Sequence, residues 1–333
     1  MSRDRCIAIV GATGAVGHEL LAVLEQRQFP LRELRLFASP RSAGVRVPFR
    51  GGELPVQALD ERSFAGVDIA LFSAGSALAK EWAGRAVAAG AVVIDNSSAF
   101  RGHDDVPLVV PEVNAAALRG QRGIVANPNC STILLALALW PLHQAAGLRA
   151  VVVSTYQAAS GAGQRAMLEL RSGLAAMLAD TAPLPPRALP QLLAGNVFPQ
   201  VDVFQPDGYT REEDKLLYEL RKITGLSELA VEATCVRVPV ERCHSESVSC
   251  RFERPLAVDA ARALLARAPG LEVLDEPALG RYPMPLLSTG RDAVAVGRLR
   301  ASRVFDAGLA FWLVGDQLRK GAALNAVQIA ELL

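Results

Sequence analysis

Residues 6–17 read CIAIVGATGAVG, a five-residue apolar run that stops at Gly11 and passes into Val, Leu and Ala at helical spacing from Val16 to Arg27. An apolar run that closes on glycines and opens into such a pattern is a buried strand leading directly into a helix. Glycine at this turn lets backbone N–H groups approach a pyrophosphate, and the helix N-terminus adds its partial positive charge. Gly11, Thr13, Gly14, Ala15, Val16 and Gly17 are therefore the candidate cradle of a dinucleotide. A second strand, Leu34 to Ala38, should end beside the adenosine ribose, where an NAD site carries Asp or Glu for the 2′-hydroxyl. The chain instead continues Ala38-Ser39-Pro40-Arg41-Ser42-Ala43-Gly44. An arginine without an acid favours the 2′-phosphate of NADP, with Ser39, Arg41 and Ser42 as its contacts.

Working outward, the first 126 residues alternate short apolar runs with helical patterns, the signature of βαβ units on a parallel sheet. Strands are expected at Cys6 to Val10, Leu34 to Ala38, Val67 to Phe72, Ala91 to Ile94 and Ile124 to Ala126, with helices over Val16 to Arg27 and Leu78 to Ala89. From Val151 the character changes to longer strands, a helix near Gln164 to Leu178 and a proline-rich connector, Pro183 to Pro190. Alternation in Val231 to Val238 and Ser245 to Phe252 suggests a mostly antiparallel second sheet. Gly321 to Leu333 reads as an amphipathic helix returning to the first domain. The fold class is α/β: a Rossmann-type domain, 1–129 completed by 316–333, and a second α+β domain, 130–315.

The chain has 333 residues, 51% hydrophobic and 21% charged, with 35 Lys+Arg against 34 Asp+Glu. Two domains of ordinary size fit this length, and half the residues being apolar supplies their cores. The charge balance and the absence of any basic run argue against nucleic acid as a partner. Mean hydropathy is +0.24, yet the longest apolar run, Ile133 to Leu142, is about half of the roughly 20 residues that cross a bilayer. No membrane association and no signal peptide are expected. Five cysteines, an odd number without metal-type spacing, suit a reducing cytoplasm and suggest no metal site.

One cysteine stands apart. Asn127-Pro128-Asn129-Cys130-Ser131-Thr132 precedes the apolar helix Ile133 to Leu139. A cysteine in the first helical turn feels unpaired N–H groups and the helix dipole, both of which favour thiolate, and that makes a nucleophile. The alternative is a buried structural cysteine, the reading given to Cys6, Cys235 and Cys250 in their apolar strand patterns. A second cluster runs Arg237-Val238-Pro239-Val240-Glu241-Arg242-Cys243-His244-Ser245-Glu246. On one regular strand Arg237 and His244 would face opposite sides, but Pro239 makes a single uninterrupted strand improbable. His18, His103 and His143 have ordinary surroundings, whereas His244 is neighboured by charged and hydroxyl groups.

These residues carry a resemblance to aspartate-semialdehyde dehydrogenases over essentially the whole chain. The motifs are GATGAVG, ASPRSAG, DNSSAFR at Asp95 to Arg101, PEVN at Pro111 to Asn114, NPNCST, TYQAASGAG at Thr155 to Gly163, NVFPQ at Asn196 to Gln200, REEDK at Arg211 to Lys215, RVPVERCHSES and DQLRKGAALNAVQIAELL. The resemblance implies reductive dephosphorylation of L-4-aspartyl phosphate by NADPH through a cysteine thioester, in the biosynthesis of lysine, threonine, methionine and isoleucine. It implies Cys130 as nucleophile, His244 as acid/base and Gln157 as an orienting partner. Arg237 would hold the α-carboxylate, Glu212 the α-ammonium, Arg101 and Lys215 the phosphate, and Asn129 would also contact substrate. Ser160, Gly161 and Gln317 would join the cofactor contacts; Gln317 stands where the family usually has Asn. A homodimer formed through the second domain is implied too, with inorganic phosphate and a small molecule as the other partners. The alternatives are an N-acetyl-glutamyl-phosphate reductase-like enzyme, which needs no pocket for a free ammonium, and a non-catalytic homologue acting as a binding protein. The latter would be expected to lose Cys130 or His244.

Overall fold

A computed structural model describes residues 4–333. The chain divides into two compact units: one runs up to Asn129 and resumes at Ala322–Leu333, and the other is Cys130–Gly321. Residues 316–321 thus group with the second unit.

The first unit contains β1 (Arg5–Val10), α1 (Ala15–Gln26), β2 (Leu31–Ala38), β3 (Arg46–Phe49), β4 (Gly52–Ala58), β5 (Ile69–Phe72), α2 (Ser76–Ala88), β6 (Val92–Asp95), the single turn α3 (Pro111–Asn114) and β7 (Ile124–Ala126). Its seven strands lie in the order β3-β4-β2-β1-β5-β6-β7. All neighbours are parallel except β3 on β4. Omitting β3, this is the doubly wound dinucleotide-binding order, with the chain reversing direction across the sheet between β1 and β5. β1 and β5 are buried almost end to end, as a strand covered by helices on both faces must be. The β3–β4 hairpin escaped the sequence reading because Pro48, Pro55 and its charges blur the strand pattern. Proline is tolerated there because the hairpin forms the sheet edge. Its two-residue loop, Arg50-Gly51, has φ of 49° and 75°, the double positive φ of a type I′ turn.

The second unit contains α4 (Cys130–Ala146), β8 (Leu148–Gln157), α5 (Gln164–Leu178), α6 (Arg211–Thr224), β9 (Ala230–Arg237), β10 (His244–Phe252), α7 (Val258–Arg267), β11 (Leu271–Val273), the turn α8 (Pro285–Ser288), β12 (Val294–Ala301) and β13 (Gly308–Gly315). Its strands lie in the order β11-β12-β13-β10-β8-β9. The three central pairings are antiparallel and the two outer ones parallel. Nine consecutive residues of α4, Ser131–Leu139, are buried. A helix apolar on all sides must be enclosed, and α4 packs on β8, β10 and β13 with α6 and α7 beside it. Tyr156 and Val152, on the opposite face of the sheet, stay exposed.

The last helix, α9 (Leu324–Leu332), corrects the amphipathic reading: it starts three residues later than expected, after a π-turn over Arg319–Ala323, and is buried on nearly every side. It packs against α1, α3 and β6 within the first unit. Asn325 is its fully buried polar anchor, donating from Nδ2 to the Val109 carbonyl at 2.9 Å and to Asn127 Oδ1 at 2.6 Å. Asn325→Leu keeps the branched shape of the side chain but leaves buried acceptors without their donor. We expect a loss of about 1–3 kcal/mol, read as a lower midpoint in urea; an unchanged midpoint would show that this amide anchors nothing.

Candidate active site

In the first unit the glycine turn is built as a phosphate cradle requires. Gly11 has φ of 96°, and a Cβ there would lie 2.9 Å from the Ser73 backbone. A Cβ on Gly17 would fall into the Gly11 carbonyl, so α1 can approach β1 this closely only with glycine at that position. Gly14 stands at the N-terminus of α1, where no side chain caps the free N–H groups. Thr13, Ala15 and Val16 are half-buried along the same turn. Ser39, Arg41 and Ser42 follow β2 on a 3₁₀ turn, with Arg41 exposed. The residues present therefore fit a dinucleotide. Arg101 is 6% exposed, its Nε donating to the Asn127 carbonyl at 2.9 Å and its Nη2 to the Asn96 carbonyl at 2.7 Å. Asn129 is likewise buried.

In the second unit the site grows from one end of the sheet. Gln157 is the last residue of β8, Arg237 the last of β9 and His244 the first of β10. Gln157 and Arg237 are register partners, and Ser245 pairs with Tyr156 next to them. The parity problem of the sequence thus disappears, because Arg237 and His244 belong to different strands. Between them the chain turns at Cys243, whose φ of 76° is unusual for a non-glycine residue. Its N–H is held by Gln317 Oε1 at 2.9 Å, and the Gln317 amide also donates to Ser160. Gln317 and Ser160, expected at the cofactor, are here joined to each other and to the residue preceding His244.

Cys130 is the first residue of α4, whose N-terminus places it in the favourable field of the helix. A Cβ on Gly321 would lie 3.1 Å from the Cys130 Cβ, so a larger residue there would crowd the nucleophile. The next residue, Ser131, receives a hydrogen bond from Gln157 Nε2 at 3.0 Å, and the same nitrogen lies 3.2 Å from Glu212 Oε1. Glu212 sits in the first turn of α6. That helix is set by a capping box between Thr210 and Glu213 and tied to β9 where Glu213 accepts the Cys235 N–H at 2.8 Å. Lys215 bonds Glu212 at 3.0 Å and Asp202 at 2.6 Å. Burial opposes its charge, but the two carboxylates hold Lys215 above the ordinary lysine range.

Ala158 joins the two remaining groups. Its carbonyl accepts from Arg237 Nη1 at 2.6 Å, and its N–H donates to His244 Nδ1 at 3.1 Å. The neutral imidazole therefore carries its proton on Nε2, an atom that no protein group bonds. Burial first, then Arg237, push His244 down to about 3, whereas Glu212 and the Cys243 carbonyl favour its protonated form. Gly161 covers this edge: a Cβ there would lie 3.0 Å from both Arg237 Nη1 and His244 Nε2. Burial also raises the other thiols, Cys243 and Cys250 to about 12 and Cys235 still further, whereas Cys130 alone among the cysteines is partly exposed.

Ala158, Ser131, Gly321 and Asp202 escaped the sequence reading because their contributions are backbone atoms, a missing side chain, or contacts between distant segments. Glu246 escaped it too. It lies two residues beyond His244, fully buried, with neither carboxyl oxygen bonded.

The comparisons agree with this geometry. Residues 6–121 match the semialdehyde dehydrogenase NAD binding domain and residues 139–320 the semialdehyde dehydrogenase dimerisation domain. A protein of Aquifex aeolicus (strain VF5) described as an aspartate-semialdehyde dehydrogenase is 52% identical over 98% of this chain and 97% of its own. The chain belongs to the aspartate-semialdehyde dehydrogenase family. Its fold follows that of aspartate semialdehyde dehydrogenase II from Vibrio cholerae, solved with ASA, at a TM-score of 0.97 and 43% identity over 100% of this chain and 98% of that one. The NADP-bound aspartate semialdehyde dehydrogenase of Candida albicans aligns at a TM-score of 0.77 and 26% identity, covering 99% and 98%. Membership makes the chain an oxidoreductase with an NAD(P)-binding domain. Among the described residues no helix is long and apolar enough to cross a membrane.

Glu246 yields a test of how this interior is charged. Burial raises its carboxyl well above the usual range. The folded chain therefore keeps a proton there that the unfolded chain releases above about pH 4.3, and stability from this group falls as pH rises. Glu246→Gln should melt several degrees higher than the parent at pH 7, the gap closing toward pH 4. Equal melting at pH 7 would show that the carboxyl is ionised and paired.

Proposed function

We propose that the chain converts L-4-aspartyl phosphate to L-aspartate 4-semialdehyde with NADPH, through a thioester on Cys130. The observation that carries this reading is the single hydrogen-bonded cluster at the head of α4, in which Ser131, Gln157 and Glu212 run from the nucleophile while Ala158 ties Arg237 to His244. Arg237 offers a fork of donors whose Nε has no protein partner, a geometry suited to the α-carboxylate. Glu212, buried and charge-paired, suits the α-ammonium. That carboxylate speaks against an N-acylated substrate, whose amide carries no charge to offer it.

Cys130 sulfur attacks the acyl carbon and the carbon–oxygen bond to phosphate breaks, with Arg101 and Lys215 serving the departing phosphate. NADPH, held by Gly11 to Gly17 with Ser39, Arg41 and Ser42 at its 2′-phosphate, supplies hydride when bound. His244, once it has taken a second proton from solvent on Nδ1 in place of the Ala158 hydrogen bond, gives its Nε2 proton to the sulfur as the carbon–sulfur bond breaks and the aldehyde departs. In the reverse direction the same imidazole removes that proton. A thioester suits both directions because it accepts hydride and can be cleaved by phosphate. The NADP-bound relative and the exposed Arg41 without an acidic neighbour at the end of β2 support NADP over NAD. The dimerisation-domain match and the exposed Val152 and Tyr156 face support a homodimer built on the second sheet.

Phosphate-dependent reduction of NADP by L-aspartate semialdehyde tests the reading. Cys130→Ala should abolish it, and His244→Asn should slow it by about two to four orders of magnitude; near-normal turnover by the alanine variant would eliminate the covalent route. Arg41→Ala should raise KM for NADP by roughly tenfold or more, the worth of one charged hydrogen bond, with KM for NAD unchanged. An equal effect on both cofactors would place Arg41 elsewhere than at the 2′-phosphate.

A further inference from the structure

The free enzyme presents a difficulty for proton transfer. Arg237 Nη1 and His244 Nε2 both lie 3.0 Å from the point where Gly161 lacks a Cβ, so they are no more than about 6 Å apart. Ala158 holds them there, by its carbonyl and its N–H. At this separation in a dry interior a fixed positive charge strongly opposes a second one. An imidazole so placed is a poor base, yet the reaction asks it to gain and give a proton.

The surroundings do not relieve this by themselves. From α6, Glu212 favours a charged imidazole but shares its carboxylate with Lys215 and Gln157. On the same strand, Glu246 is kept uncharged by burial. β13 brings no ionisable residue and the facing end of β8 brings Thr155 and Gln157. Cys130 on α4 is the reacting group itself. Arg242, beside the turn, is paired with Asp316 at 2.7 Å. The change on binding that favours a charged imidazole is at Arg237, whose Nε no protein group bonds.

We propose that the substrate α-carboxylate is part of the proton-transfer machinery: by pairing with Arg237 it cancels the charge beside His244 and eases the gain of a second proton on Nδ1, in place of the Ala158 hydrogen bond, so that Nε2 can exchange a proton with the sulfur. This rests on Arg237 being the carboxylate clamp of the functional reading above. Selection for the α-carboxylate then falls on kcat as well as on KM, because a substrate without it leaves His244 a weak base even when bound. The ammonium acts in the opposite sense through Glu212, but Arg237 is the stronger of the two influences on His244.

Three aldehydes separate these roles in the phosphate-dependent oxidation: L-aspartate semialdehyde, succinate semialdehyde, which keeps the carboxylate and lacks the amine, and 3-aminopropanal, which keeps the amine and lacks the carboxylate. Succinate semialdehyde should lose mainly in KM. 3-Aminopropanal should lose about 100-fold or more in kcat, the scale of one general-base contribution. The acid limb of its kcat profile should also lie at lower pH than that of the complete substrate. Added acetate should restore its kcat in a saturable way, by up to about tenfold for each unit regained in base strength. A kcat for 3-aminopropanal close to that of the complete substrate, or an acid limb at the same pH with no response to acetate, would overturn the proposal. Failure of L-aspartate semialdehyde itself to turn over would instead overturn the functional reading.

Discussion

A guanidinium, an imidazole and a carboxylate share one buried end of a β-sheet, and the second unit is arranged around making that tolerable. Burying a charge costs several kcal/mol unless it is paired or hydrogen-bonded. Arg237 meets this with the Ala158 carbonyl and the field of Glu212, and Glu212 in turn with Gln157 and Lys215. His244 meets it by remaining neutral. The sheet order brings the ends of β8 and β9 and the start of β10 side by side, where Arg237 and His244 can both be tied to the backbone of Ala158.

The nucleophile is governed by the same enclosure. α4 is apolar all round, so it must be covered, and its first residue is then fixed where the helix emerges. Gly321 and Gly161 remove side chains at the two places where Cys130 and His244 need room. In the first unit Gly11 and Gly17 do the corresponding work where α1 closes on β1 and the Ser73 backbone. Each of these glycines answers a close approach, which is why the motifs are dense in them.

The parallel strands of the first unit and the glycine turn were legible because a strand buried on both faces reads as an unbroken apolar run and the turn demands residues without a Cβ. The β3–β4 hairpin was not, since a prolyl, charged edge strand owes its place to pairing. α9 was misjudged for a related reason: Leu, Ala, Val and Ile dominate it, and Asn325 within it is a buried anchor, which local pattern does not reveal. Glu246 is the plainest omission, because nothing in Ser245-Glu246-Ser247 distinguishes a fully enclosed carboxyl from a solvated one.

By itself the sequence determined the alternation of elements and the dinucleotide turn, and it singled out Cys130 as a candidate nucleophile, because those depend on residue type and local spacing; the acid/base role of His244 was implied by the family resemblance. The tertiary structure alone decided that Arg237 and His244 leave separate strands and face one another across Gly161. It also decided that Gln157 addresses Ser131 and Glu212, and that burial and the neighbouring Arg237 keep His244 neutral. Those are matters of distance and burial in a low-dielectric interior, and neither can be read from residues that lie 26 to 86 positions apart along the chain.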